Sequence, residues 1–308
     1  MNIIDTFRYL VSLEQHKHFS RAAQACYITQ PALSNAIKAL EDEMNIKIVN
    51  RGRNYEGLTN EGKRVLATAH QVLHEMDALK QEIASQSSMP SGNLIIGAIP
   101  SALPIASNFV VNLKKNFPGL NPILRSMASH ELEMGLENLT LDIAFGYIDR
   151  PQLEPYEPRI IPQYNEKYFL IRKSKNKNDH LPEKTTWKNA SKLSLCLLTS
   201  EMHNRALVNK FFSMANSKVV PVMQTDSIFT LLSCIYYSEF STILSGPMAN
   251  FAGFNNELLV SKLIEPDSET AIGIMMPSGR QLTIVQETAH KFAKSSEWVR
   301  ILEKISNP

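Results

Sequence analysis

One stretch, Thr29-Gln-Pro-Ala-Leu-Ser-Asn-Ala-Ile-Lys-Ala-Leu-Glu41, constrains this chain more than any other. Leu33, Ile37, Leu40 and Met44 recur at spacings of 4, 3 and 4, which predicts one buried stripe along a helix. Pro31, Ser34, Asn35 and Lys38 share a second face carrying a hydroxyl, an amide and an ammonium. Such groups reach base edges and phosphates when a helix lies in a major groove. Thr29 suits an N-cap, and Pro31 falls in the first turn, where a missing N–H costs nothing. An ordinary amphipathic surface helix has the same two faces, so the neighbouring residues decide between the two.

Upstream, Ile3, Phe7, Leu10 and Val11 predict a helix over about residues 2–15. His16-Lys-His18 is a polar break with no further ligand nearby, a solvated turn rather than a metal site. Ser20 is the expected cap of a second helix over 21–26, and Ala22, Ala23 and Ala25 let two helices approach closely. Cys26 suits a small core position, and Tyr27-Ile28 is a short connection into the third helix. Downstream, Ile46–Val49 alternates as a strand, 51–57 is a basic turn, and Leu58 leads out of it. That is a two-stranded wing, with Arg51 and Arg53 placed to reach phosphates or a minor groove. Between Lys17 and Arg64 eight basic residues stand against five acidic ones. So small an excess predicts weak binding by one copy, and two copies are needed for useful affinity.

Thr59 is the expected cap of the next helix. Val65, Ala69, Val72, Met76, Leu79 and Ile83 then follow at spacings of 4, 3, 4, 3 and 4, a heptad seam suited to pairing with a second copy. His70 and His74 stand four apart, but Gln71 occupies the place a zinc hydrolase needs for glutamate. The run 85–92 is rich in Ser, with Pro90 and Gly92, and reads as a hinge.

Residues 1–92 resemble the winged helix-turn-helix and linker helix of the LysR-type transcriptional regulators. The resemblance rests on Phe19-Ser-Arg-Ala-Ala23, Thr29-Gln-Pro-Ala-Leu-Ser34, Ile37-Lys-Ala-Leu-Glu41, Arg51 and Leu58-Thr-Asn-Glu-Gly62. Two departures are Val49-Asn50, where the family usually has Leu-Phe, and Asn35, where it often has Arg. The resemblance implies DNA contacts by Thr29, Gln30, Pro31, Ser34, Asn35, Lys38, Arg51 and Arg53. It implies a DNA-binding domain over 1–58, a linker over 59–91 and an effector-binding domain over 92–308. The expected partners are double-stranded DNA at interrupted palindromic promoter sites, a small-molecule effector, further copies in a homodimer and homotetramer, and RNA polymerase.

Beyond residue 92 strand and helix alternate. Strands are expected at 94–99, 123–127, 141–145, 167–171, 192–198, 219–223, 241–244 and 270–276, with helices between them and a long helix or helix pair from about Leu282. That pattern predicts an α/β fold with mainly parallel, doubly wound sheets. The resemblance implies two Rossmann-like subdomains of the type 2 periplasmic-binding-protein fold. Subdomain I takes 92–161 and 267–308 and subdomain II 162–266, with crossovers near Pro162 and Pro266. In such folds ligands sit where strand ends meet helix N-termini. The expected pocket residues are Ser101, Ala102, Ser129, His130, Phe145, Thr199 and Asp226, each Ser or Thr among them being equally a plain helix cap. The effector is unidentified, an anion being one candidate, and no arginine stands out as its partner.

No nucleophile elbow, dinucleotide fingerprint or phosphate loop occurs, so no enzyme class is indicated, and neither cofactor nor metal is expected. Cys196 and Cys234 allow a redox-sensing alternative, although both lie in apolar stretches where inert core thiols are expected. A soluble ligand-binding protein or enzyme is the remaining alternative. Three cysteines at no metal-like spacing, no apolar run of membrane-spanning length and no secretion pattern at the N-terminus point to the cytoplasm and away from a membrane.

Overall fold

Asn2 opens the first helix by accepting hydrogen bonds from the N–H groups of Ile4 and Asp5, and that helix, α1 (Ile3–His16), buries Phe7, Leu10 and Leu13. The computed structural model describes residues 2–51, 55–85, 89–150, 157–176, 179–253, 257–279 and 281–306. They fold as two units, the first built on residues 1–88 and the second holding 89–136 and 141–308.

The first unit continues with α2 (Phe19–Ala25), α3 (Gln30–Met44), β1 (Val49–Arg51), β2 (Tyr55–Leu58) and α4 (Asn60–Ser85). The cap of α2 is His18, whose Nδ1 accepts from the Ser20 N–H, not Ser20 as the sequence suggested. Ala22 and Ala23 are buried, and the Ser12 hydroxyl donates to the Ala22 carbonyl, so α1 and α2 lie close. Thr29 caps α3 through the Ala32 N–H as expected. Leu33, Ile37 and Leu40 are fully buried, but Met44 is 41% exposed, because Asn45 turns the chain left-handed immediately after it. Ile46 and Lys47 are not strand residues. The Glu41 carboxylate instead accepts from the N–H groups of both Ile48 (2.8 Å) and Val49 (3.1 Å), so a buried acid at the end of α3 starts the wing. Thr59 Oγ1 accepts from the Gly62 N–H at 2.8 Å, and the backbone at Gly62 presses so close to Ile48 that a Cβ would lie 2.0 Å from its carbonyl oxygen.

Among the described residues the second unit holds two sheets, eight α-helices and one short 3-10 turn at Pro100–Ala102. Its elements are β3 (Gly92–Ala98), α5 (Leu103–Asn116), β4 (Leu120–Ser126), α6 (Ser129–Glu137), β5 (Ile143–Tyr147), β6 (Arg159–Lys173), β7 (Lys184–Thr186), α7 (Trp187–Ala190), β8 (Cys196–Leu198), α8 (His203–Met214), β9 (Met223–Thr225), α9 (Ile228–Tyr236), β10 (Ser241–Ser245), α10 (Gly246–Gly253), β11 (Leu258–Ile264), β12 (Glu269–Met276), α11 (Ile284–Ala293) and α12 (Ser296–Ile305). One sheet runs in the order β4-β3-β5-β12-β6. β3, β4 and β5 are mutually parallel, as β–helix–β connections require, whereas β12 is antiparallel to both β5 and β6.

β6 belongs to both sheets. Its residues 159–167 pair with β12, and from Tyr168 onward it pairs with β10 on one side and β11 on the other. β7 and the parallel pair β8–β9 extend the second sheet, the latter through a bridge from Leu195 to Ser241. The sheets are therefore mixed rather than mainly parallel, because β12 inserts antiparallel between β5 and β6, and β6 runs directly from one sheet into the other. The strand expected over 219–223 begins only at Met223, and β7, β11 and α10 were not anticipated.

Each half has its own aromatic core. Phe109 packs against Phe145, Phe292 and Trp298 with ring centroids 5.0–5.3 Å apart. Trp187 packs against Phe211 and Phe212 at 5.3 and 5.0 Å. Both indole N–H groups are satisfied, Trp298 by Gln163 and Trp187 by Ser268, so neither ring is buried at the expense of a lost hydrogen bond.

Candidate functional site

In the first unit the exposed face of α3 carries Thr29, Gln30, Pro31, Asn35 and Lys38, with Ser34 half-buried beside them. The structure thus leaves outward the polar face that the spacing predicted, while the opposite stripe holds α3 in its core. The wing is tied down independently. Tyr55 on β2 donates to the Glu14 carboxylate on α1 and meets the Phe19 ring edge-on at 6.1 Å. Burial and the Glu14 carboxylate push the Tyr55 phenol well above its usual range, so it remains a donor. Arg51 lies on β1, and Arg53, expected at the wing tip, lies outside the described residues.

The heptad seam on α4 divides. Ala69 is fully buried in the unit's own core, and Val65 and Val72 pack against that core. Assigning Ala69 to a surface for a second copy is corrected by this burial. Leu79 and Ile83 are 50% and 64% exposed, so the seam is uncovered in its C-terminal half.

In the second unit a cavity of about 250 Å³ opens where the ends of β3, β5, β8 and β10 meet the first turns of α6, α8 and α9. Of the expected pocket residues, Ser101, Ser129 and His130 line it; Ala102, Phe145, Thr199 and Asp226 do not. Ala102 is fully buried in the core. Phe145 falls short of the cavity along the strand: β5 ends two residues later than its apolar run suggests, and Tyr147 reaches the cavity while Phe145 packs on Phe109. Thr199 is drawn into local bonding, its N–H to the Thr225 carbonyl and its hydroxyl to Glu201. Asp226 is exposed beside Ser227, which caps α9.

Several lining groups were not foreseen. Arg150 lines the cavity and forms an ion pair with Glu133 at 2.6 Å. His203 stacks at 4.8 Å on Tyr147, whose hydroxyl accepts from Asn204 at 3.2 Å. Burial and the nearby Arg150 charge hold the His203 imidazole below its usual pKa, which favours the neutral ring. Met202, the N-cap of α8, supplies no side-chain acceptor to the first N–H groups of that helix, which leaves them for an acceptor from elsewhere. Apolar walls come from Ile99, Leu198, Ile228, Leu244 and Met248. Arg205, one turn into α8, is structural: it donates to the Leu198 carbonyl, Gln224 and Asn209, pinning β8 and β9 to α8.

Behind the cavity Glu166 on β6 is fully buried. The Ser245, Ser101 and Tyr147 hydroxyls face its carboxyl, yet burial outweighs them and pushes its pKa up to about 7. No expectation from the sequence singled this residue out. The signal that could have done so is the alternation Tyr164, Glu166, Tyr168, which places a carboxylate on an aromatic strand face.

A helix-turn-helix with a wing, followed by a two-sheet α/β unit with a cavity where strand ends meet helix starts, defines the class of fold. The pattern described as "Bacterial regulatory helix-turn-helix protein, lysR family" matches residues 4–63, and "LysR substrate binding domain" matches residues 87–296. The chain belongs to the LysR family. It is 35% identical over 202 residues to the "Hydrogen peroxide-inducible genes activator" of Haemophilus influenzae, covering 65% of this chain and 63% of that protein. It is 36% identical over 143 residues to the "DNA-binding transcriptional dual regulator OxyR" of Escherichia coli, covering 46% and 47%. The matched stretches thus span about half to two thirds of those relatives' lengths. Among solved structures, a full-length OxyR variant from Pseudomonas aeruginosa superposes with a TM-score of 0.70 at 19% identity, covering 97% of both chains. CbnR complexed with its target DNA superposes at 0.69 and 14% identity, covering 97% of this chain and 99% of that one. These two likenesses carry the fold.

Proposed function

We propose that this protein is a transcriptional regulator of the cytoplasm that binds interrupted palindromic promoter DNA and is switched by a small molecule in the cavity of its second unit. The observation that carries the reading is the outward polar face of α3, with Gln30, Pro31, Asn35 and Lys38 exposed and not covered by any described residue of the unit. The net charge near this helix is small, so two or four copies acting together supply the affinity, with Leu79 and Ile83 offered to the partner. Ser101, Ser129, His130, His203 and Asn204 hold the effector, and its binding biases the spacing of the DNA-binding units, through which RNA polymerase is engaged. No catalytic activity, metal or resident cofactor is part of this reading. Footprinting on its own promoter region tests it: a protected dyad is expected, with affinity falling several-fold as salt doubles. Absence of any salt-sensitive, sequence-specific complex would overturn it.

A second reading is favoured by the relatives whose names refer to hydrogen peroxide. Cys196 and Met223 are register partners on β8 and β9, and the Cys234 thiol lies 3.3 Å from the Met223 sulfur. All three cysteines are free thiols, none lines the cavity, and burial with the neighbouring Cys234 pushes the Cys196 thiol up, which slows attack on peroxide. Replacing both Cys196 and Cys234 by serine separates the readings. A peroxide response retained by the double variant removes the redox reading, and a response lost while the variant still binds DNA supports it.

A further inference from the structure

We propose that the floor of the cavity, made by Ser101 and Ser245 with the buried Glu166 directly behind them, receives the protonated amine of a small aliphatic ligand. This rests on the cavity being the effector site and names the chemistry that its floor selects.

The argument starts from orphaned polar atoms. Among the described residues, neither carboxyl oxygen of Glu166 has a hydrogen-bond partner of normal geometry, and the same holds for the hydroxyls of Ser101 and Ser245. All three residues are at least nine-tenths buried, and Ser101 and Ser245 line the cavity. Buried polar atoms are normally satisfied, and exceptions cluster where something else is meant to satisfy them. These four atoms converge from three elements: the turn after β3, the end of β10, and β6 at the point where it leaves one sheet for the other. What they share is acceptor capacity. A carboxylate accepts only, and each hydroxyl offers lone pairs as well as one proton, so a group carrying several donors fits where a second carboxylate would not. A primary ammonium, with three donors and a positive charge, matches that set.

The groups facing Glu166 add no charge that would do the same work. They are the phenols of Tyr147 on β5 and of Tyr164 and Tyr168 on β6, all neutral because burial holds them above their usual range, and the two serines. The other titratable residues at the cavity, His130, Arg150, Glu201 and His203, line it from α6, the segment after β5 and the start of α8. The walls of Ile99, Leu198, Leu244 and Met248 suit an aliphatic body. With its carboxyl raised to about 7, Glu166 is protonated for part of the time at neutral pH. Binding an ammonium draws it to the carboxylate: the neutral acid loses its proton to the buffer, and the ammonium keeps all of its own. No bond to carbon changes.

The experiment is calorimetric titration of the full-length protein with L-leucine and isopentylamine, each set against its hydroxyl counterpart, 2-hydroxy-4-methylpentanoate and isopentanol. We expect at least one amine to bind about 10- to 100-fold more tightly than its counterpart, the range set by hydrogen bonds to a charged group. Its affinity should rise from pH 6 to pH 8, with proton release seen as a difference in heat between phosphate and Tris. L-leucine binding without isopentylamine identifies an amino acid, and the reverse a simple amine. Glu166→Gln should remove the preference for the amine, and proton release by the wild-type protein is a second readout that does not depend on the variant. Equal binding of amine and hydroxyl compounds, or binding without proton release, overturns the amine assignment and leaves the cavity as the effector site. No binding by any of the four overturns the proposal, while DNA binding in the same preparation keeps the wider reading separately testable.

Discussion

Replacing Glu166 by glutamine should make the second unit more stable at pH 8 than the wild type and nearly equal to it at pH 5. An ordinary glutamate carboxyl titrates near 4.5, and burial behind Ser101, Tyr147 and Ser245 pushes this one up to about 7. A carboxyl with a higher pKa folded than unfolded binds more protons in the folded state between those two values. Stability therefore falls as pH rises through that window and levels off above it. From 4.5 to about 7, at about 1.4 kcal/mol for each pH unit, the cost reaches about 3 kcal/mol. Glutamine has the same shape and no ionisation, so it escapes this cost, and all other titrating groups cancel in the difference. Urea unfolding followed by tryptophan fluorescence reads the right part of the molecule. Both tryptophans, Trp187 and Trp298, are fully buried in the second unit, so the first unit is silent. The expected difference is below about 1 kcal/mol at pH 5 and about 3 kcal/mol in favour of the variant at pH 8. Parallel pH profiles for the two proteins would refute the placement of an ionisable group in that buried position.

Four further outcomes are expected. Gly62→Ala should prevent the first unit from folding, because the new methyl would lie 2.0 Å from the Ile48 carbonyl oxygen; circular dichroism and loss of DNA binding read this, and a normally folded variant would contradict the close approach. Glu41→Ala leaves the N–H groups of Ile48 and Val49 without their acceptor, at about 1–3 kcal/mol each, so DNA affinity should drop through a displaced wing even where the helices survive. Leu79→Asp should yield folded monomers by analytical ultracentrifugation, whereas Val72→Asp should also destabilise the fold, since Val72 packs on its own unit; a dimeric Leu79→Asp protein would move the interface elsewhere. Ser34→Ala should relax base preference in a selection experiment more than it lowers overall affinity, and Arg53→Ala should do the opposite.

The heptad seam shows both the reach and the limit of periodicity. Spacings of 4 and 3 establish that one stripe of α4 is apolar, but a stripe meets its own core and a partner's helix with the same side chains. Only the packed α1 separates Ala69, which is enclosed, from Leu79 and Ile83, which are not. The pocket behaves similarly. Ser101, Ser129 and His130 were legible because strand ends followed by small polar residues recur where ligands bind. Phe145 is the residue the sequence points to because the apolar run Leu141–Phe145 places the strand end two residues early, before Tyr147. Glu41 and Glu166 read as surface charge in a chain with 30 acidic residues, and nothing local distinguishes an acid whose neighbours arrive from distant segments.

What the sequence determined by itself was α3: its cap, its first-turn proline, its buried stripe and its outward polar face all lie within one continuous stretch, where 3.6 residues per turn converts spacing directly into geometry. The order of elements and the family followed from such local signals repeated along the chain. Tertiary structure alone decided the floor of the cavity and the acid behind it. Ser101, Glu166 and Ser245 are separated by more than sixty residues at each step, and they meet because β6 passes from one sheet into the other. Burial there turns an unremarkable glutamate into a group near neutrality, since desolvation depends on everything that surrounds a side chain and not on its neighbours in sequence.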